Sequence, residues 1–255
     1  MSTPPNAPRP LVIIPAFNES DALPAVLADL SALDPPVDVV VVDDGSTDDT
    51  AEVARDGRAA VVCLPYNLGI GGALRTGFRY AVRHGYTRAL QFDGDGQHDP
   101  AAVATLLAEL DAGADLVIGS RFADPGGDYD PGAARGWAMG LLRLLVRVLT
   151  GRRFSDTSSG SRAFSSAMLE YFAEHYPVEY MESVEALVMA CGAGFDVREV
   201  PVKMRPRQGG EPSTRRLRLL YHFARVLLVM GVSKGALRGH NPAADARHDL
   251  GGSRS

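Results

Sequence analysis

Five short apolar runs recur about every 25 residues, and each of the first four is followed by a stretch with helical spacing. Residues 10–15, 38–43, 59–64, 88–92 and 115–119 read as strands, and residues 20–33, 47–55, 69–84 and 100–112 read as helices. Ser20 or Asp21 would cap the first of these helices. A β–α repeat of this kind folds into an α/β, doubly wound and mostly parallel sheet with helices on both faces. The second run, Asp38-Val39-Val40-Val41-Val42-Asp43, supports this. Four consecutive valines place apolar side chains on both faces, as in a strand covered on both sides. In such sheets ligands bind beyond the carboxyl ends of the strands. The polar motifs fall there: Phe17-Asn18-Glu19, Asp43-Asp44-Gly45-Ser46, Asp93-Gly94-Asp95 and Ser120-Arg121.

Composition narrows the class further. The 255 residues are 45% apolar and 22% charged, which excludes disorder over the bulk of the chain. Two cysteines, Cys63 and Cys191, cannot build a disulfide framework or a cysteine-rich zinc site. They read as buried thiols in a reducing, cytoplasmic setting. Residues 1–10 lack the apolar core of a signal peptide, and no apolar run reaches the ~20 residues of a membrane span. A net charge of −5 argues against a general nucleic-acid binder. It hides a local excess: eight basic residues against Glu211 alone between Lys203 and Lys234, a net +7 that calls for an anionic partner.

Asp93-Gly94-Asp95-Gly96-Gln97 is the sharpest chemical signal. Two carboxylates one residue apart on a turn, with the amide oxygen of Gln97, suit Mg²⁺ or Mn²⁺ better than zinc. The plainer reading is a polar Asp-Gly turn. Asp43 and Asp44 can accept from a base N–H or from ribose hydroxyls, whereas Ser46 or Thr47 can serve simply as helix caps. Asn67-Leu68-Gly69-Ile70-Gly71-Gly72-Ala73-Leu74 fails the spacing of a dinucleotide-binding loop and follows the wrong strand. Close helix packing or a helix end near a nucleotide explains it better. Arg121 and Arg207 could grip a phosphate bidentately. His98 reads as a polar residue at a helix start and not as a ligand.

Taken together, Ile14-Pro15-Ala16-Phe17-Asn18-Glu19, Val41 to Ser46, Asn67 to Gly77, Asp93 to Gln97 and Ile118-Gly119-Ser120-Arg121 resemble the family-2 glycosyltransferases with a GT-A fold. Within that family, Gln97-His98-Asp99-Pro100, Asp156 to Arg162 and Glu199-Val200-Pro201-Val202 resemble the dolichyl- and polyprenyl-phosphate mannose synthases. The resemblance implies an inverting, metal-dependent transfer of a hexose from a GDP- or UDP-sugar to a polyprenyl or dolichyl phosphate at a membrane surface. It implies that Pro15, Phe17, Glu19, Asp43, Asp44 and Gly94 hold the nucleotide. Asp93, Asp95 and Gln97 would bind the metal and diphosphate, and Arg121 and Arg207 a donor or acceptor phosphate. Asp93, Asp95, Arg121 and Arg207 are thus the expected catalytic set. The sequence departs from the family at Ser161, where a phenylalanine is usual, and at Pro212, which interrupts a Gly-Glu-Ser pattern.

The expected organisation is a flexible N-terminus (1–9), one GT-A domain (10–234) and a disordered tail (235–255). Within the domain, 10–122 would bind the nucleotide-sugar and 123–234 the acceptor. Residues 124–132 read as a loop, 184–190 as a helix and 196–202 as a strand. Two amphipathic helices, 137–149 and 216–230, are candidates for lying in a membrane interface, against packing on the sheet or forming a dimer. A location at the inner face of the cell membrane follows; the sequence sets neither the sugar nor the oligomeric state. Two other functions fit the same motifs. One is a soluble family-2 enzyme acting on a hydroxyl, which needs a base; Glu182 or Glu185 would serve, unless they are only a solvated helix face. The other is a non-catalytic nucleotide-binding protein.

Overall fold

The computed structural model describes residues 9–122, 133–178 and 182–203, with the side chains of 133–138 left aside. The expectations for residues 1–8, 124–132, Arg207, the +7 segment beyond Lys203, the helix 216–230 and the tail lie outside the described residues.

The elements run β1 (Leu11–Ala16), α1 (Leu23–Ser31), β2 (Asp38–Asp43), α2 (Thr50–Asp56), β3 (Ala60–Cys63), α3 (Ile70–Arg83), β4 (Arg88–Gln91), α4 (Ala102–Asp111), β5 (Leu116–Ser120), α5 (Ala133–Thr150), β6 (Arg162–Ser165), α6 (Ser166–His175), α7 (Glu182–Gly192) and β7 (Val197–Pro201). They form a seven-stranded sheet of order β3-β2-β1-β4-β6-β5-β7. Every pairing is parallel except those of β6, which runs antiparallel between β4 and β5.

The valine run of β2 behaves as its pattern requires. Val40 and Val42 lie in the buried cluster that includes α3, α6 and α7, and Val41 lies in the cluster on the opposite face with α1 and α4. The sheet is therefore the middle of three layers. Phe78 of α3 anchors one outer layer, with its ring 4.9 Å from Phe164 and 5.0 Å from Tyr176. Close helix-to-sheet contact depends on Gly77, where an added Cβ would overlap Ile13 Cγ2. Gly77→Ala should therefore destabilise the fold by about 1–3 kcal/mol despite alanine's helix propensity. Gly140→Ala, in open space on α5, should instead stabilise by up to about 1 kcal/mol. Urea denaturation of the two variants checks both signs.

Several boundaries differ from the sequence expectation, each for a local reason. The first helix starts at Leu23 with Pro24 in its first turn, and it has no side-chain cap because the cap position falls on Ala22 rather than on Ser20 or Asp21. The second starts at Thr50, since Ser46 and Thr47 do not cap it but are tied to Asn18. Cys63 is exposed rather than buried, because β3 is the outermost strand and ends there. Cys191 is half-buried, and burial pushes its thiol up to about 11.

Candidate active site

The parallel register brings four strand ends to one rim. Ala16 pairs with Asp43, and Ile13 pairs with Gln91, two residues before Asp93. Glu19 lies against the backbone of Gly94, with its Cβ 3.6 Å from where a Gly94 Cβ would stand. Pro15, Phe17, Glu19, Asp43, Asp44, Gly94 and the Asp93–Gln97 turn therefore share this rim. Phe17 is 44% exposed there.

The two aspartates after β2 have separate duties. Asp44 is buried, and its carboxylate accepts the N–H groups of Leu68 (2.7 Å) and Gly69 (2.8 Å). It fixes the turn that enters α3, and Gly69 adopts φ +83° there. Burial raises its pKa, against the pull of those two bonds. Asp43 Oδ1 accepts the Ser46 N–H at 3.1 Å. The loop 66–67 passes so close to Gly45 that a Cβ would stand 2.7 Å from Tyr66 C.

Asp93 is held from several sides. His98 Nε2 lies 3.1 Å from its Oδ2, and the Gln91 side chain also favours its charged form. Burial pushes the Asp93 carboxyl up, but His98, Gln91 and Arg162 outweigh that and hold it below its usual value. His98 is therefore not a helix-start residue. It is buried, four residues before α4 begins, and it braces a carboxylate of the acidic turn. Asp95 is buried, and its Oδ1 accepts the Gln97 N–H at 3.0 Å.

The donor set fits a hard cation that shares its ligands with a phosphate. Asp93 Oδ1 is buried with no hydrogen-bond partner, which leaves one anionic oxygen without a donor. Asp93, Asp95 and Gln97 offer side-chain oxygens. Among the described residues no three His, Cys, Asp or Glu side chains gather into a metal cage. Gly160 faces this carboxylate: an added Cβ would collide with Asp93 Oδ2 and stand 2.9 Å from Oδ1. Gly160→Ala should displace the carboxylate and cost on the order of 100-fold in turnover. Circular dichroism should remain unchanged, and kinetics on the purified variant decide it.

Arg121 does not present an open fork. Its Nε donates to Asp156 Oδ2 at 2.7 Å and its Nη2 to Asp156 Oδ1 at 2.9 Å and Ser158 Oγ at 3.1 Å. A bidentate grip on a phosphate through that edge would break the pair. Asp156 is fully buried; burial pushes it up, and the Arg121 bonds and backbone donors hold it below its usual value. Glu199 in turn accepts the N–H groups of Ser155 (2.8 Å) and Asp156 (2.7 Å), fastening this loop to β7.

Sequence reasoning missed the roles of Arg162 and Arg143 and left open whether Glu182 is a base or a solvated helix residue. Arg162 is fully buried at the start of β6, donating to Ser159 O and Ser183 O, and its charge acts on both Asp93 and Glu182. Glu182 is no solvated helix residue: it is buried, and burial raises its pKa. Arg143 of α5 stacks on Phe122. Its one mark in the sequence is a place four residues before Arg147 in the otherwise apolar segment 137–149.

Comparison with known proteins places this arrangement. Residues 11–172 match the family described as Glycosyl transferase family 2. The polyprenol monophosphomannose synthase of Mycolicibacterium smegmatis is 35% identical over 217 residues, covering 79% of this chain and 79% of that protein. The undecaprenyl-phosphate mannosyltransferase of Micrococcus luteus is 34% identical over 80% of this chain and 86% of its own length. Among solved structures, glucosyl-3-phosphoglycerate synthase from Mycobacterium tuberculosis, in complex with Mn²⁺, UDP and phosphoglyceric acid, superposes with a TM-score of 0.67 at 23% identity. That likeness covers 88% of this chain and 78% of the other, and it carries the fold alone. With the sequence match, the three-layer fold and the acidic rim in agreement, the chain belongs to glycosyl transferase family 2.

Proposed function

We propose that this glycosyltransferase moves a hexose from a nucleoside-diphosphate sugar, GDP- or UDP-linked, to a polyprenyl phosphate. The observation that carries the reading is the extended similarity to two enzymes named for polyprenyl-phosphate mannosylation, at 34–35% identity over about four-fifths of the chain. The nucleoside would lie along Pro15, Phe17, Glu19, Asp43, Asp44 and Gly94, with Asp44 acting mainly by shaping the loop beside it. The diphosphate would meet the Asp93–Gln97 turn. Mg²⁺ or Mn²⁺, held there by Asp93, Asp95 and Gln97, would offset charge on the departing nucleoside diphosphate.

The acceptor needs no general base. A phosphate monoester is already an anion at neutral pH. Its oxygen attacks C1 as the bond from C1 to the diphosphate breaks, so configuration at C1 inverts. The protein's part is to hold both partners in line. Arg121, with Arg207, would border the acceptor side. The burial of Glu182 behind Arg162 fits this reading better than a base for a hydroxyl acceptor.

Contact with the lipid surface would run through α5. Leu141, Leu144 and Val148 are exposed along one stripe, with Arg147 and Arg153 also exposed beside it. Such a face suits an anionic interface, where each nearby basic residue contributes roughly 1 kcal/mol. No helix among the described residues is long and apolar enough to cross a membrane. Peripheral binding at the cytoplasmic face is the mode proposed, with residues 10–234 acting as one catalytic unit. The test is transfer of label from GDP- and UDP-sugars to polyprenyl phosphate with Mn²⁺. Organic-extractable, acid-labile product supports the reading; label found only in water-soluble glycoside rejects it.

A further inference from the structure

Arg121 arrives at the rim already neutralised, since the buried Asp156 takes its Nε and Nη2 and Glu199 fastens the loop that carries Asp156. The pair forms a fixed, neutral wall beyond the end of β5. Arg143 stands differently. Its guanidinium carbon lies 4.8 Å from the centroid of the Phe122 ring, and Arg121 meets the same ring at 5.5 Å. No carboxylate among the described residues pairs with Arg143. Its Nε is buried with no hydrogen-bond partner. A desolvated donor on a cation is costly to leave unmade. Stacking on Phe122 fixes the guanidinium but accepts none of its N–H groups in their plane.

We propose that Arg143 is a phosphate-binding residue of the acceptor subsite, taking the phosphate monoester of the polyprenyl acceptor against the wall formed by Phe122 and the Arg121–Asp156 pair. This rests on the reading that the acceptor is a polyprenyl phosphate. One further observation favours an amphiphile over a bare anion. Arg143 sits on the helix that exposes Leu141, Leu144 and Val148, so a charged head at Arg143 has apolar surface on the same element. A bilayer phosphodiester offers the same chemistry with less charge. A monoester carries about −1.5 to −2, which better matches a cation with no carboxylate of its own.

Binding of farnesyl phosphate, titrated calorimetrically without donor, tests the site apart from turnover. Arg143→Leu should weaken it about tenfold, the scale of a hydrogen bond to a charged group, while Arg143→Lys loses less. Nucleotide affinity and the donor KM should stay the same, and the acceptor KM should rise with the dissociation constant. Unchanged farnesyl phosphate binding in Arg143→Leu overturns the proposal. So does a loss confined to phosphatidylglycerol vesicles, which would assign Arg143 to the bilayer headgroup. Should Arg143→Leu unfold, the Lys variant decides alone: farnesyl phosphate affinity equal to wild type rejects the site. If wild type binds farnesyl phosphate through Arg143 but transfers no sugar to polyprenyl phosphate, the site stands and the proposed function falls.

Discussion

Asp95→Asn should lower Mn²⁺-dependent sugar transfer by about 10³-fold, roughly 4 kcal/mol of transition-state stabilisation, and leave the melting temperature within a few degrees of wild type. The substitution isolates charge from shape. Asp95 is buried, and its Oδ1 already serves as an acceptor for the Gln97 N–H. Asparagine keeps that oxygen and the volume around it but gives up the anion. If the turn exists to gather a cation against a diphosphate, activity falls while the fold persists, and Mn²⁺ no longer tightens nucleotide binding. Full activity in the variant would remove the metal-binding role. A collapse in stability with transfer retained per folded molecule would make Asp95 a structural residue of the turn.

The first half of the fold was legible because its signals are local and redundant. The valines of β2 demand two covered faces, and the helical spacing of Leu23, Val26, Leu27 and Leu30 demands one buried stripe; both demands are met. Strands β6 and helix α6 were not legible. Arg162-Ala163-Phe164-Ser165 is four residues long and begins with a charge, so nothing in its composition marks a strand. It exists because β4 and β5 leave a gap that an antiparallel segment fills, and that gap is a tertiary fact.

The site divides along the same line. The position of the carboxylates was readable, because a parallel sheet carries the polar residues that follow its strands to one rim, although their burial there was not. Their supports were less readable: Glu199 and Gly160 act across long separations in sequence, and nothing marks His98, five residues after Asp93, as turning back to it. Glu199 holds the amides of residues 155 and 156, His98 reaches back to Asp93, and Gly160 makes room for the same carboxylate. Glycine in a Ser-Ser-Gly-Ser stretch reads as a loop residue until its neighbour is known. Arg121 shows the opposite error of inference: an arginine beyond a strand end suggested an open phosphate grip, whereas its fork was already closed on Asp156.

Arg162→Met is expected to have the largest effect on stability, about 3–5 kcal/mol, through the two acids it serves. The cation is fully buried, tied to Ser159 O at 2.9 Å and Ser183 O at 3.0 Å, so it links the loop beside Asp93 to the start of α7. Methionine fills similar space but leaves Asp93 and Glu182 without the charge that lowers both. Burial then dominates, and both carboxyls shift upward. The pH dependence follows from the sign. A carboxyl raised in the folded state contributes its full stability only below its unfolded value, usually near 4.5 for Glu182, and loses it as pH rises through the folded value. The deficit of Arg162→Met against wild type should therefore be largest at about pH 8 and shrink toward about pH 5, as the buried acids take up protons. Adding Glu182→Gln should recover part of the loss at high pH, because one of the two uncompensated charges is gone. Urea midpoints at the two pH values measure this directly. A deficit independent of pH, with no recovery in the double variant, would show that Arg162 stabilises through its backbone ties and packing rather than by balancing the acids beneath the rim.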